Sequence, residues 1–298
     1  MRILVTGSRG QLSRELQLAL AGEGEVLALG HQALDLADPA QIRQQVRLLR
    51  PDLIVNAAAY TAVDAAEHNR AAAFAVNATA PGVLAEEAAK LGAALIHYST
   101  DYVFNGLKPT PYVETDTASP LGVYGASKLA GEQAIQAVAG QHLILRTSWV
   151  YSTHGRNFLL TMQRLMQERD ALQVVDDEIG APTWAGTLAG VTAELIRKWR
   201  NGANGPTGLY HLTATGETSW FGFAQRIAEH LRQQGRLRAR LSPIPARDYP
   251  TAAQRPANSR LCCDRLQRDW DVQLPDWDAA LRLCLASPRT AIDERGAA

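Results

Sequence analysis

The chain has 298 residues, 46% of them hydrophobic, and its 30 basic side chains balance its 30 acidic ones to a formal charge of zero. This length suits one large domain or two modest ones, each with a full hydrophobic core. The neutral balance argues against a nucleic-acid-binding surface and against a polybasic membrane-surface protein. We therefore expect neither nucleic acid nor a membrane as a partner.

The first half of the chain alternates short apolar runs with amphipathic segments. Runs that are apolar throughout are typical of strands buried on both faces of a parallel sheet. They predict strands at Ile3–Thr6, Val26–Leu29, Leu53–Asn56, Leu95–Ser99 and Leu143–Thr147. The segments between them predict helices at Gln11–Ala21, Pro39–Leu49, Ala71–Leu91 and Tyr124–Val138. This repetition predicts an α/β fold with a doubly wound parallel sheet of the Rossmann type.

The chain after residue 150 is less regular, because proline and glycine interrupt it and apolar runs become sparse. We therefore expect a dinucleotide-binding domain at residues 1–150. Residues 151–298 are expected to form mainly a smaller, irregular substrate-binding lobe, with some segments packing back on the first domain. The last residues, 287–298, are predicted to be a frayed tail.

Two features favour a cytoplasmic protein. The three cysteines, Cys262, Cys263 and Cys284, are odd in number and lack metal-binding spacing, which fits a reducing compartment. Met1–Val5 reads as a strand rather than as a basic segment leading to an apolar run and a cleavage site. No run approaches the ~18 apolar residues of a membrane span.

A glycine-rich loop follows the first predicted strand. Gly7 permits a tight turn, and Gly10 lets backbone N–H groups approach a pyrophosphate that the next helix N-terminus attracts. The third position of this fingerprint, usually glycine or alanine, is Ser13. Such a loop can be a simple turn, but its place after the first strand favours dinucleotide binding.

The end of the second strand bears on the choice of cofactor. It lacks the acid that binds the ribose of NAD, and His31, with Arg9, could receive the 2′-phosphate of NADP instead. This favours NADPH and leaves NADH open; the alternative is that His31 is simply a solvated loop residue. Asp35 and Leu36 are placed to contact adenine, although Asp35 also suits an ordinary turn.

Small and polar residues follow the third and fourth strands, where ligands bind in doubly wound sheets. The three alanines Ala57, Ala58 and Ala59 would let a cofactor lie close to the backbone. Ser99, Thr100 and Asp101 should line the pocket, and a hydroxyl at position 99 or 100 can bond a substrate oxygen. The alternative role for these hydroxyls is capping of the strand end.

Tyr124 and Lys128 are four residues apart, so both project from one helix face. A phenol titrates near about 10, and a neighbouring ammonium stabilises the phenolate and lowers that pKa. Tyrosine–lysine pairs at this spacing are common on exposed helices. The position after the fourth strand favours a catalytic triad of hydroxyl, tyrosine and lysine, in which the lysine also holds the nicotinamide ribose.

Together these residues resemble the extended short-chain dehydrogenase/reductase superfamily and, within it, the family of dTDP-4-dehydrorhamnose reductases. The resemblance extends from Met1 to about Leu285. It is carried by Arg50–Ala59, Thr61–Asp64, His97–Phe104, Ser119–Leu121, Tyr124–Lys128, Leu145–Tyr151, Gly180–Thr183 and Arg255–Arg260. The later motifs are the specific ones, since other members share only the nucleotide half.

The resemblance implies reduction of the C4 ketone of dTDP-4-dehydro-6-deoxy-L-mannose (dTDP-4-dehydro-β-L-rhamnose) by NADPH. Tyr124 would donate a proton to the C4 oxygen, with Lys128 as its electrostatic partner and Thr100 as the hydroxyl that tunes it. The cofactor would contact Gly7, Gly10, Gln11, Leu12, Asp35, Leu36, Ala57, Ala58, Ala59, Tyr124 and Lys128. The dTDP-sugar would contact Thr61, Thr100, Asp101, Trp149 and Arg255.

Several points stay open at this stage. Either Trp149 or Tyr151 could be a core aromatic, and Asn77 could be a polar back-wall residue or a packing residue. Some relatives are magnesium-dependent dimers, but no carboxylate cluster here reads as a metal site, and Gly186 stands where an acid could have served. We expect no metal site and leave monomer and homodimer open.

Three alternative functions remain. They are another nucleotide-sugar reductase, an epimerase or dehydratase of the same superfamily, and a non-catalytic regulatory subunit of the same fold. A dehydratase would add a second acid after Asp101, where this chain has Tyr102. A regulatory subunit would lose the tyrosine, the lysine or the substrate loops. Tyr60, which replaces an expected histidine, is a further departure from the family pattern.

Overall fold

The computed structural model describes residues 1–202 and 207–287. Its strands are β1 (Arg2–Thr6), β2 (Glu25–Leu29), β3 (Leu53–Asn56), β4 (Ala94–Thr100), β5 (His142–Thr147), β6 (Val150–Tyr151), β7 (Ala171–Val175), β8 (Ile179–Gly180), β9 (Thr183–Trp184), β10 (Gly208–His211), β11 (Thr218–Ser219) and β12 (Arg240–Ile244). Six of them form one parallel sheet in the order β10-β5-β4-β3-β1-β2. The predicted doubly wound sheet is confirmed, and all five predicted strands belong to it.

The helices cover both faces of this sheet and build the second lobe. They are α1 (Gln11–Ala19), α2 (Pro39–Leu49), α3 (Val63–Ala66), α4 (Arg70–Phe74), α5 (Ala80–Leu91), α6 (Val123–Gln136), α7 (Phe158–Glu168), α8 (Ala185–Arg200), α9 (Trp220–Gln233), α10 (Asp264–Trp270) and α11 (Trp277–Ala286). Within the described residues, no helix combines the length and the apolarity that crossing a membrane requires.

The helix predicted at Ala71–Leu91 is interrupted. A π-helical turn, Ala75–Thr79, separates α4 from α5. Pro81, in the first turn of α5, explains the interruption. Proline has no N–H group to donate, and its ring collides with the carbonyl four residues earlier, so the helix widens there.

The two faces of the sheet carry separate hydrophobic cores. On one face Ile3 and Val5 of β1 pack with Leu16 of α1 and Leu188 of α8. On the other face Leu4 packs with residues of α2 and α5. Because successive side chains of a strand point to opposite faces, both neighbours in β1 are buried, which explains its uninterrupted apolar sequence.

Segments after residue 150 complete the sheet and its cover. β10 pairs with β5, and α8 packs in the same core as α1. The second lobe has its own core, in which Tyr151, Leu159, Phe223 and Leu281 are buried. Residues 288–298 of the predicted tail lie outside the described residues.

Candidate active site

A cavity of about 880 Å³ opens at the carboxyl ends of β1, β3 and β4. Most residues predicted to hold a cofactor line it, namely Gly7, Gly10, Gln11, Leu12, His31, Ala57, Ala58, Ala59, Tyr124 and Lys128. Thr61, predicted for the substrate, lines it too. Val150, which belongs to the Leu145–Tyr151 motif, closes it together with Gly155 and Arg156, which no local pattern in the sequence marks.

The glycine loop turns as the fingerprint requires. Gly7 has a φ of +76°, and a Cβ on it would lie 2.9 Å from the Cβ of Ala58, so larger residues are excluded. Gly10 precedes α1, whose first turn has no side-chain cap, which leaves its N–H groups for an anion. Ser13 is buried and donates a 2.7 Å hydrogen bond to the carbonyl of Thr6. The departure at the third position therefore still ties the helix to the strand.

Of the residues predicted near the adenosine end of the cofactor, His31 lines the cavity, whereas the two predicted adenine contacts, Asp35 and Leu36, do not. Nδ1 of His31 lies 3.5 Å from Oδ1 of Asp35. The same Asp35 oxygen accepts from the N–H of Ala37, which is the turn role left open by the sequence. Leu36 is buried in the core with Ile42 rather than on the cavity wall, because the sheet needs its side chain for packing. The contact of Leu36 with adenine stays a prediction.

The start of helix α6 is held at two points, by the segment after α3 and by the segment after β4. Glu67 accepts a 2.8 Å hydrogen bond from the N–H of Val123 and so supplies the cap that Gly122 cannot. A Cβ on Gly125 would lie 2.1 Å from the carbonyl oxygen of Tyr102, so only glycine permits this approach. The contact brings the Tyr124 ring edge-on to Tyr102, with ring centroids 5.5 Å apart.

Of the two candidate hydroxyls, the structure places that of Thr100 against Tyr124. Burial raises the pKa of Tyr124 to about 12, and the hydrogen bond to Thr100 lowers it. The Ser99 hydroxyl donates instead to Oε1 of Glu132. Asp101 accepts a 3.0 Å hydrogen bond from Thr100, and burial raises the pKa of this carboxyl to about 6.

The ammonium of Lys128 does not act on Tyr124 as the sequence predicted. It donates to the carbonyl of Tyr98 at 2.6 Å and lies 3.1 Å from Nε2 of His97. Burial lowers the pKa of Lys128 to about 8, and the charge of Glu132 raises it. The expected depression of the tyrosine pKa is therefore corrected, because the lysine is directed at β4 and the phenol is desolvated.

A buried ion pair lies behind Lys128. Glu132, one turn further along α6, receives two hydrogen bonds from the guanidinium of Arg146 on β5, at 2.8 and 2.6 Å. The Arg146 and Glu132 side chains are 4% and 2% exposed. This planar, two-point geometry fixes the helix on the sheet beside Tyr124 and Lys128. Sequence reasoning missed it, since Arg146 lies within the Leu145–Tyr151 motif but nothing near either residue indicates that Arg146 pairs with Glu132.

The second lobe contributes an aromatic wall. Trp149, with a φ of +48°, stacks on Trp220 with ring centroids 3.6 Å apart. The Trp220 N–H donates to Glu178 at 3.1 Å, and burial raises the pKa of that carboxyl. Tyr151 is buried in the lobe core, so it is the core aromatic of the pair that the sequence left open.

Arg255 lies between the two halves of the chain. Its guanidinium meets both carboxylate oxygens of Asp64, at 2.9 and 3.3 Å. Burial raises the pKa of the Tyr102 phenol, and the charges of Arg255 and Glu178 act on it in opposite directions. Arg255, Glu178 and Tyr102 are thus neighbours beside Tyr124. The predicted substrate residues Thr100, Asp101, Trp149 and Arg255 lie beside the cofactor cavity rather than on its wall.

Two remaining expectations concern Asn77 and metals. Asn77 accepts from the N–H of Tyr60 at 2.8 Å and donates to its carbonyl at 3.0 Å, so it fixes the loop after β3. Among residues 1–202 and 207–287, no three His, Cys, Asp or Glu side chains are grouped as metal ligands.

This sheet, with a tyrosine–lysine helix beside its nucleotide cleft, is that of the extended short-chain dehydrogenase/reductases, a class of oxidoreductases. The sequence model of the family described as RmlD substrate binding domain matches residues 1–289. A dTDP-4-dehydrorhamnose reductase of Burkholderia thailandensis is 46% identical over 292 residues, covering 96% of this chain and 98% of its own. The enzyme of Escherichia coli K12 is 45% identical, covering 96% and 97%.

A solved structure agrees with these relatives. The dTDP-4-dehydrorhamnose reductase of Bacillus anthracis, in complex with NADP, superposes with a TM-score of 0.89 at 35% identity, covering 95% of this chain and 98% of that one. The chain belongs to the dTDP-4-dehydrorhamnose reductase family. The resemblance found in the sequence is confirmed.

Proposed function

We propose that this protein reduces the C4 ketone of dTDP-4-dehydro-6-deoxy-L-mannose with NADPH and releases dTDP-L-rhamnose. One observation carries the proposal beyond family membership. Tyr124, whose hydroxyl is a neighbour of the Thr100 hydroxyl, lines the same cavity as the glycine loop and Lys128. A proton donor therefore lies beside the cavity that we assign to the dinucleotide, as carbonyl reduction requires.

The cavity fits a dinucleotide. Gly7 and Ala58 approach so closely that only backbone atoms and a methyl group form the wall there. The first turn of α1 has no side-chain cap, so its N–H groups are available to a pyrophosphate. When bound, NADPH supplies the hydride that adds to C4. Lys128 has three N–H bonds, two of which face β4, and we assign the third to the nicotinamide ribose.

The proton step is assigned to Tyr124. Its hydroxyl donates to the C4 oxygen as negative charge develops there, and the Thr100 hydroxyl then turns to stabilise the phenolate. A phenol with a pKa of about 12 holds its proton in the ground state. Much of the rate is expected from placing the ketone and the phenol within reacting distance.

We assign the substrate lobe mainly to residues 151–298, with Trp149, Thr61 and Arg255 as contacts of the dTDP-sugar. Arg255 offers a planar fork that suits a diphosphate. The guanidinium of Arg255 is paired with the carboxylate of Asp64, so a bound diphosphate would either share the guanidinium with Asp64 or displace it. Arg260 is a weaker candidate, since it is engaged by Glu217 and by the carbonyl of Pro109.

NADPH preference is assigned to His31, with Arg9 nearby on the cavity wall. Replacing His31 by aspartate puts a carboxylate where the 2′-phosphate is expected. We expect His31→Asp to lower kcat/KM for NADPH about tenfold and to change that for NADH less than threefold. Equal losses with both cofactors would remove His31 from the phosphate site.

The reaction itself is tested by stoichiometry. Purified protein, dTDP-4-dehydro-β-L-rhamnose and NADPH should yield one NADP⁺ for each dTDP-L-rhamnose seen by NMR. An epimerase would interconvert sugars with bound cofactor and no net oxidation. A regulatory subunit would show no turnover until a partner enzyme is added. Either of these results would overturn the proposal.

Three further assignments stay proposals. We propose a cytoplasmic protein, supported by the three unpaired cysteines of the described chain. We propose activity without added Mg²⁺, which assays with EDTA would test. Light scattering of the active protein would distinguish a monomer from a homodimer.

A further inference from the structure

A chain of buried polar side chains crosses the sheet beneath the cavity and ends at Lys128. Thr6 Oγ1 meets the amide oxygen of Asn56 at 2.7 Å, and the Asn56 amide nitrogen lies 2.9 Å from Nδ1 of His97. Nε2 of the same imidazole lies 3.1 Å from Nζ of Lys128. The four residues are between 0% and 2% exposed, so their polar atoms pair with protein groups rather than with water.

The donors and acceptors of this chain depend on the charge of Lys128. An ammonium has only donors, so His97 can accept from it only if Nε2 carries no proton. The proton of the neutral imidazole then sits on Nδ1, which requires the oxygen of Asn56 opposite it. Burial, and then the charge of Lys128, lower the pKa of His97, which keeps the ring neutral.

The opposite arrangement is equally consistent. With the nitrogen of Asn56 on Nδ1 of His97, the imidazole proton must sit on Nε2 and point at the lysine. Only an uncharged amine can accept it. The two arrangements differ by a half-turn of the Asn56 amide and by the position of one imidazole proton. The hydrogen bonds between Asn56, His97 and Lys128 therefore run in one donor-to-acceptor direction when the lysine is an ammonium and in the opposite direction when it is an amine.

We propose that His97 is the positioning residue of Lys128, holding one N–H of the ammonium through Nε2 so that another N–H points into the cleft. The inference rests on the proposed function, in which Lys128 serves the reduction. The imidazole makes the ammonium more stable in a site where burial opposes charge.

The other charged and titratable groups around Lys128 determine the electrostatic environment of its ammonium. Tyr124 and Glu132 are on its own helix, and Arg146 of β5 neutralises Glu132. His97 comes from β4, whereas β1 and β3 contribute the uncharged Thr6 and Asn56. Loss of the His97 acceptor is therefore expected to show directly in the titration of Lys128.

A set of three variants separates the two ends of the imidazole. His97→Gln keeps an oxygen at the lysine end, His97→Asn keeps a polar group at the Asn56 end, and His97→Leu keeps neither. We expect the alkaline limb of the kcat–pH profile to move down by about one pH unit in the Asn and Leu variants. The Gln variant should stay within about 0.3 unit of wild type and bind NADPH as wild type does, whereas the Asn and Leu variants should bind NADPH more weakly.

The outcomes separate positioning from mere packing. If the three variants lose thermal stability or kcat alike and the alkaline limb does not move, His97 is a packing residue and the proposal fails. Wild-type activity with NADPH and the dTDP-sugar is measured first, so failure of the proposed reaction is seen separately.

A measurement on the wild-type protein needs neither variants nor turnover. Long-range proton–nitrogen NMR distinguishes the two imidazole tautomers of each of the seven histidines. At neutral pH we expect His97 to carry its proton on Nδ1, and to move it to Nε2 as Lys128 loses its charge. An Nε2 proton at neutral pH, or a tautomer that does not change as the pH rises, would overturn the proposal.

Discussion

The two walls of the cleft hold their charges differently. On the wall formed by β4, β5 and α6, charged groups are sealed from water, as in the pair of Glu132 and Arg146. On the wall formed with the second lobe, charged groups are partly exposed to water: the Arg255 and Asp64 side chains are 23% and 47% exposed. One wall is fixed by its own hydrogen bonds, whereas the other has groups that a ligand can take over.

This difference suggests a division of labour. Proton chemistry needs a wall whose distances and local dielectric do not change, because each misplaced donor costs rate. A nucleotide-sugar must enter and leave, so its contacts should exchange partners at low cost. Changes in the buried wall should therefore affect kcat or stability, and changes in the open wall should affect KM.

The largest expected effect is at Tyr124. Tyr124→Phe removes the proton donor and keeps the ring against Tyr102, so kcat should fall by about 10²–10⁴-fold. The Kd for NADPH, measured by fluorescence titration, should stay within about twofold of wild type, since the hydroxyl is one contact among many. A variant with wild-type kcat would remove Tyr124 from the proton step.

Breaking the buried ion pair should cost stability. Arg146→Met leaves the Glu132 carboxylate buried without its cation, and the free energy of unfolding should fall by about 3–5 kcal/mol in urea titrations. Arg164→Met is the matched control, because the Arg164 and Glu168 side chains are 60% and 52% exposed, and it should cost about 0.5 kcal/mol or less. Equal losses in the two variants would contradict the contrast between the walls.

Asp101 is the reverse case, a buried carboxyl whose charge is disfavoured. Its pKa of about 6 exceeds that of the unfolded chain, so the native state binds more protons between about pH 4 and 6. Stability contributed by the protonated form is therefore lost as the pH rises through this window. Asp101→Asn should raise the free energy of unfolding by about 1–3 kcal/mol at pH 7 and much less at pH 4. A pH-independent change would show that Asp101 is ionised without penalty.

The smallest expected effect is on the open wall. Arg255→Lys loses the two-point fork, so KM for the dTDP-sugar should rise about tenfold while kcat stays within about threefold. Arg260→Lys is the control, since its guanidinium is bound to Glu217, and it should leave KM unchanged. A fall in kcat with unchanged KM would place Arg255 in the chemical step.

The sequence predicted the part of the fold that local pattern encodes. The five strands were recognisable as apolar runs, which four of them owe to burial on both faces, whereas the edge strand β2 is only partly buried. β10 was not, because its four residues, Gly208–His211, follow a glycine-rich stretch and become a strand only by pairing with β5. The π-helical turn was equally hidden, since helix periodicity does not show how the chain accommodates Pro81.

The candidate site divides in the same way. The glycine loop, Tyr124 and Lys128 are motifs with fixed spacing, and the structure brings them to one cavity. Trp220 and Glu178 come from distant segments, and nothing near either residue indicates that they meet Trp149 and each other. His97 was visible within a family motif, but its bond to Lys128 depends on how β4 and α6 pack.

The central claim is that the cofactor delivers hydride to C4 of a dTDP-4-keto sugar while Tyr124 protonates the C4 oxygen. The most direct measurement uses NADPH carrying deuterium on the transferred position of its nicotinamide, with dTDP-4-dehydro-β-L-rhamnose as substrate. The account predicts dTDP-L-rhamnose with one deuterium at C4 and none at C3 or C5. Product without deuterium at C4 would contradict it.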